Sequence, residues 1–207
     1  MPDSTTGAVF ADAFAAEDDA LLSARDASAQ FGIEPVSPAV GAALAVAAAA
    51  RPAASIVEIG TGAGVSGLWL LRGAPAAQLT TIDVDLDHHQ VARAVFAEAG
   101  HPKQVRFITG DARDVLPRMN DDSYDLVLVD ADWESLPAYV DAALRLARVG
   151  GTVLVARALQ GGKVANPARR DRATVTHRDL LKAVRDRSDL LAALLPVGDG
   201  LLQLVRR

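Results

Sequence analysis

Five stretches rich in β-branched and aliphatic residues recur along the chain: "SIVEIG", "QLTTIDV", "KQVRFITGD", "YDLVLVDAD" and "TVLVARAL". Helix-like segments separate them: "GVSGLWLLRGA", "DHHQVARAVFAEAG", "ARDVLPRM" and "SLPAYVDAALRLARVGG", the last over residues 135–151. Apolar strands that alternate with helices specify a parallel sheet covered on both faces, since each crossover must return across the sheet. The end departs from this rhythm. After a polar, partly amphipathic helix over residues 169–188, "DLLAALLPVG" and "LLQLVRR" flank Asp199-Gly200, a strong hairpin signal. The expected fold class is therefore α/β, a doubly wound, seven-stranded mixed sheet with a C-terminal antiparallel hairpin. N-terminal helices are expected to lie over the strand ends. We expect one domain over residues 1–207, with a helical cap through residue 52 and a cofactor-binding core from residue 53.

The most apolar run, "AVGAALAVAAAA", is too short to span a bilayer, which takes about 20 residues. It reads as a buried helix, with Ser37 as N-cap, Pro38 as first helical residue, and Arg51 and Pro52 closing it. A formal charge of -5 argues against nucleic acid or an anionic membrane as partner. Cysteine is absent, which excludes a thiolate nucleophile and fits a reducing compartment, and acids stand where an export signal carries basic residues. The expected location is the cytoplasm. The loop over residues 159–170 reads as the mobile segment.

"IVEIGTGAGVSG" runs from a buried strand into glycines, which let a backbone approach a ligand, and the helix that follows offers free N–H groups. The bland alternative is an ordinary strand-to-helix turn. Two frames overlap here: Gly62, Gly64 and Gly67 give the dinucleotide spacing G-x-G-x-x-G, whereas Glu58, Gly60, Gly62 and Gly64 give E-x-G-x-G-x-G. Asp83 lies about 20 residues on, where a carboxylate can accept from both ribose hydroxyls of an adenosine. Asp85 and Asp87 read as a helix cap and a solvated charge. Asp111, with the Ala112 backbone, either sits beside an adenine or caps a helix.

Glu58 and the acids of "VDAD", Asp130 and Asp132, separate the two nucleotides. A pyrophosphate would be repelled by carboxylates at the switch-point crevice, whereas S-adenosylmethionine brings a sulfonium and an ammonium. Strand-end capping is the alternative role for Asp130 and Asp132. Trp69 reads as core and Trp133 as a wall of the cleft, where it could hold an aromatic acceptor. His88 and His89 read as solvent-facing, and no histidine has a partner at metal spacing in its own segment. The basic stretch "ARRDRATVTHR" reads as a solvated helix face or as a contact for an acidic acceptor.

The blocks "PVSPAVGAAL", "VEIGTGAGVSGLWLL", "TTIDVD", "GDARDVL", "YDLVLVDAD", "LRLARVGGTVLV" and "LLPVGDGLLQLV" together resemble the S-adenosylmethionine-dependent O-methyltransferases of the catechol and caffeoyl-CoA type. The resemblance runs from about residue 30 to the end. It implies the Rossmann-like methyltransferase fold, S-adenosyl-L-methionine as cofactor, a homodimer, and transfer of a methyl group to an oxygen of a small, phenol-like acceptor. It also implies a cofactor seat of Val36, Glu58, Gly60, Thr61, Gly62, Gly64, Ser66, Asp83, Val84, Asp111, Ala112 and Asp132. Asp130 and Trp133 would face the acceptor.

One departure bears on catalysis. The family holds a divalent cation with the first aspartate of the VDAD block and an Asp-Asn pair after the fifth strand, and here that pair is replaced by Ala156-Arg157. A magnesium-like ion needs several oxygen ligands, so no metal is expected. The family's lysine after the block is replaced by Trp133. We expect the Arg157 guanidinium to stand in the cation's position, pair with Asp130, and with it form the catalytic pair. Arg157 as a structural ion-pair partner in a catalytically silent cofactor-binding protein is the alternative, and an NAD(P)-dependent oxidoreductase is a further one.

Overall fold

A computed structural model describes residues 4–207. The helices are α1 (Ser4–Phe14), α2 (Asp19–Gln30), α3 (Pro38–Ala50), α4 (Val65–Gly73), α5 (Leu86–Glu98), α6 (Ala112–Val115), α7 (Leu136–Leu146) and α8 (Arg172–Arg185). The strands are β1 (Ser55–Ile59), β2 (Gln78–Asp83), β3 (Val105–Thr109), β4 (Tyr124–Val129), β5 (Ala147–Val155), β6 (Leu190–Leu195) and β7 (Leu201–Arg206). They form one seven-stranded sheet in the order β3-β2-β1-β4-β5-β7-β6. β1 to β5 run parallel, and β7 pairs antiparallel with both β5 and β6. The order reverses between β1 and β4, which opens a crevice at the carboxyl ends of those strands.

One apolar layer packs α2 to α5 on one face of the sheet, and a second packs α6, α7 and α8 on the other. α3 begins as its sequence requires, with the Ser37 hydroxyl accepting from the Val40 amide and Pro38 at the first turn. Small residues then let it approach α4 closely. A Cβ on Gly41 would lie 2.2 Å from Trp69 Nε1, and one on Gly73 would meet the Ala45 carbonyl at 2.0 Å. Trp69 is core, as expected, and donates from Nε1 to Glu17 at 3.2 Å.

Three expectations need correction. α7 stops at Leu146 rather than running to residue 151, because Ala147 turns extended and pairs with Tyr124. The register then shifts before Thr152 pairs with Leu126, and left-handed Gly150 (φ 76°) makes the irregularity. The hairpin of β6 and β7 is present, but Leu195 pairs with Leu201, so its loop has five residues rather than a tight Asp-Gly turn. α1 packs against α3, and α2 against α4 and α5. Only the end of α2, at Ser28, reaches the cleft at the strand ends, together with residues 33–36 after it.

Candidate functional site

The carboxyl ends of β1, β2, β4 and β5 and residues 33–36 surround a cleft of about 300 Å³. Its floor is the turn between β1 and α4. Gly60, at φ 98°, is required there, because a Cβ would lie 2.0 Å from the Asp130 carbonyl. Asp83, at the end of β2, holds the turn from the side. Its Oδ2 accepts from the amides of Thr61 and Gly62, both at 3.0 Å, and lies 3.2 Å from His88 Nδ1. Gly67 packs inside α4 against Phe96, so the third glycine of the dinucleotide frame serves packing.

Beneath the turn runs a buried chain of hydrogen bonds. Ser66 Oγ and Thr81 Oγ1 each donate to Glu58 at 2.7 Å, one to each carboxylate oxygen. Thr81 Oγ1 lies 2.6 Å from Thr61 Oγ1, which lies 3.1 Å from His89 Nε2, and His89 Nδ1 lies 2.8 Å from Thr109 Oγ1. Glu58 and His89 are both 0% exposed. Burial pushes the Glu58 carboxyl up to about 7 against the pull of its two hydroxyl donors, and burial pushes the His89 imidazole down, which favours its neutral form. The expectation that His88 and His89 face solvent is thus corrected. His88 lines the cleft and His89 braces its floor. Both lie in the first turn of α5, five and six residues after Asp83, which is the positional cue the sequence offered.

Across the cleft, Asp130 directly follows β4 and Arg157 lies two residues past β5. Arg157 Nε donates to Asp130 Oδ1 at 2.9 Å, and the guanidinium also donates to the Glu34 carbonyl and lies 3.5 Å from the Glu34 carboxylate. Arg157 adopts φ 58°, a left-handed conformation uncommon for any residue other than glycine. Burial raises the Asp130 carboxyl above its ordinary value, and the Arg157 charge opposes that rise. Asp132 accepts from the Ser135 amide and from the Tyr139 hydroxyl, both at 2.7 Å, and those donors hold its carboxyl low despite partial burial.

Val36, Gly60, Thr61, Gly62, Ser66, Asp83, Val84, Ala112, Asp130, Asp132 and Arg157 line the cleft together. Glu58 lies below its floor, and Gly64 starts α4 behind it. Asp111 takes the capping position, accepting from the Arg113 amide and guanidinium. Trp133 is half-buried and is not among the lining residues. Ile33, Glu34, Pro35, His88 and Tyr139 also line the cleft and were not anticipated. The donor set beside Asp130 does not fit a divalent cation. Ala156 and Arg157 offer no side-chain oxygen, a guanidinium already holds the carboxylate, and no group of three metal-ligating side chains occurs among the described residues.

The sequence profile of the O-methyltransferase family matches residues 17–207. A protein of Mycobacterium marinum named "Putative O-methyltransferase" is 46% identical over 192 residues, covering 92% of this chain and 86% of that protein. The O-methyltransferase TomG of Streptomyces achromogenes, solved in complex with SAM and involved in tomaymycin synthesis, superposes with a TM-score of 0.86 at 31% identity, covering 98% of this chain and 96% of TomG. An O-methyltransferase from Bacillus cereus solved with SAH gives a TM-score of 0.84 at 26% identity, over 93% and 92% of the two chains. With the sheet order, the glycine turn and the profile in agreement, the chain belongs to the O-methyltransferase family.

Proposed function

We propose that the protein transfers the methyl group of S-adenosyl-L-methionine to an oxygen of a small, phenol-like acceptor without a divalent metal. The observation that carries this reading is the Arg157–Asp130 pair at the mouth of a cleft built on the glycine turn. When bound, the cofactor supplies a methyl group on a positively charged sulfur. The turn at Gly60, Thr61 and Gly62 would receive its amino-acid part, and Asp83, Val84, His88 and Ala112 its adenosine. Asp83 already accepts from loop amides, so its part is to fix the turn as well as to meet a ribose.

Arg157 keeps its proton, so its role is to hold the acceptor oxygen by hydrogen bonding and to stabilise negative charge as it develops there. Asp130 is the candidate base. Oδ1 is engaged by Arg157, while Oδ2 has no hydrogen bond among the described residues, and burial raises its basicity. With the cofactor bound, its methyl group would go to the acceptor oxygen while Arg157 holds that oxygen and Asp130 takes the proton it gives up. Alignment of acceptor and methyl can contribute on the order of 7–11 kcal/mol, so transfer without a Lewis acid is physically adequate. Trp133, half-buried beside this region, is proposed to meet the acceptor ring.

A cytoplasmic homodimer is the assembly proposed. No helix among the described residues is long and apolar enough to cross a membrane. Exposed Phe10 and Phe14 on α1 and Val46 on α3 offer an apolar surface for a second copy. The test is calorimetry with S-adenosylhomocysteine and with NAD, followed by turnover of labelled S-adenosylmethionine against a panel of catechols and phenols. Heat from the first ligand alone, with methylated product, supports the reading. Binding without turnover across the panel favours a silent cofactor-binding protein, and heat from NAD alone favours an oxidoreductase.

A further inference from the structure

A second cleft, also of about 300 Å³, opens on the α6 side of the sheet beside the edge strand β3. Arg106 from β3 and Arg118 from the 3-10 turn after α6 line it, together with Thr80, Asn120 and the Tyr124 side chain. Most arginines of this chain hold a carboxylate or a carbonyl. Arg25 grips Glu17, Arg145 grips Asp121, Arg148 grips Asp125, Arg206 grips Asp122, and Arg51 and Arg178 hold backbone oxygens. The side chains of Arg106 and Arg118 have no hydrogen bond or ion pair among the described residues, and the same holds for the side chains of Thr80, Asn120 and Tyr124. Two exposed cations, exposed Asn120 and half-buried Thr80 and Tyr124 thus line one open cleft without bonding to one another. Ile108, Val115 and Met119 give the cavity an apolar side.

We propose that this cleft is a binding site for a small phosphate monoester, its dianionic head between Arg106 and Arg118 and its organic group against the apolar side. Two guanidiniums match the charge of a doubly ionised phosphate and can each give paired N–H donors to its oxygens. The hydroxyls of Thr80 and Tyr124 and the amide of Asn120 supply the remaining donors that a tetrahedral anion accepts. The apolar side distinguishes an ester from free phosphate, because only an ester has carbon to bury there. The site is separate from the cofactor cleft, although α6 forms a wall of both: Ala112 lines one and Val115 the other.

The test is titration of phenyl phosphate into the protein already saturated with S-adenosylhomocysteine, with amide chemical shifts recorded on labelled protein. The expected result is saturable binding at one site, with shifts centred on Ile108, Val115 and Asn120. Inorganic phosphate should bind about tenfold more weakly, and the Arg106→Gln/Arg118→Gln variant should lose at least about tenfold in affinity for phenyl phosphate. S-adenosylhomocysteine affinity should be unchanged in the variant, which also confirms that it is folded. Asn120→Asp, which places a carboxylate in the same cleft, should weaken binding in the same direction. Absence of saturable binding, shifts elsewhere, or affinity unmoved by these substitutions would overturn the site. Equal affinity for inorganic phosphate would overturn the assignment to an ester.

Discussion

Arg157 Nε stands 2.9 Å from Asp130 Oδ1, so the side chain just beyond β5 pairs with the carboxylate just beyond β4. The same guanidinium donates to the Glu34 carbonyl, which ties the segment after α2 across the mouth of the cleft. One residue thereby joins the candidate base, the covering segment and the space left for the acceptor.

Arg157→Lys keeps a charge but not the fork, and Arg157→Gly removes both while suiting the left-handed backbone at φ 58°. Turnover should fall by about 10²–10³-fold in the glycine variant, the usual loss on removing a donor to developing negative charge. Its melting temperature should change little, since relief of backbone strain offsets the lost pair. Steady-state kinetics beside thermal melts check this. A turnover loss matched by a collapse in stability would return Arg157 to a structural role.

Asp130→Asn should retain a hydrogen bond from Arg157 but lose the proton acceptor. The expected result is a turnover deficit of about 10²-fold or more, in the range of general-base loss, with S-adenosylhomocysteine affinity unchanged. Calorimetry and single-turnover assays separate these two effects.

The chain from Glu58 to Thr109 can carry its protons in one of two directions. When Glu58 is ionised, Thr81 donates to it, Thr61 donates to Thr81, His89 donates from Nε2 to Thr61, and Thr109 donates to His89 Nδ1. When Glu58 carries a proton on Oε2, each of these donors reverses and His89 holds its hydrogen on Nδ1. Nitrogen shifts of His89 should therefore report a tautomer exchange as pH crosses about 7, the value to which burial raises Glu58. A fixed tautomer from pH 5 to 8.5 would contradict the assignment.

Glu58 also makes a signed contribution to stability. Its folded pKa of about 7 exceeds the ordinary 4.5, so the protonated form is favoured by folding. That contribution is full below about pH 4.5 and is lost as pH rises through about 7, a change on the order of 3 kcal/mol for the difference cited. Asp125 and Asp132, held low by their donors, act in the opposite sense, so the wild type alone does not isolate the effect. Glu58→Gln should gain stability relative to wild type between pH 5 and pH 8, as read from urea midpoints at both.

The sheet was legible because each of the first five strands carries its own apolar run and the glycine turn marks the crevice. The end of α7 was not, because "LRLARVGG" keeps a helix-compatible pattern and only the pairing of Ala147 with Tyr124 diverts it. Asp130 and Arg157 lie 27 positions apart, yet the ends of two paired strands bring them together, so their pairing followed from topology. His89 was misplaced because a histidine in a polar helix gives no local sign of burial, which here comes from Thr61 and Thr109 on other elements. Residues 31–36 were equally silent: their place over the cleft depends on how α2 docks.

The most direct measurement of the central claim is the initial rate of methyl transfer to a catechol acceptor in excess chelator, then with magnesium restored. With Arg157 in the cation's place, the rates should agree within about twofold, and the Arg157→Gly variant should be slow in both. Loss of activity in chelator with full recovery on magnesium would contradict the claim.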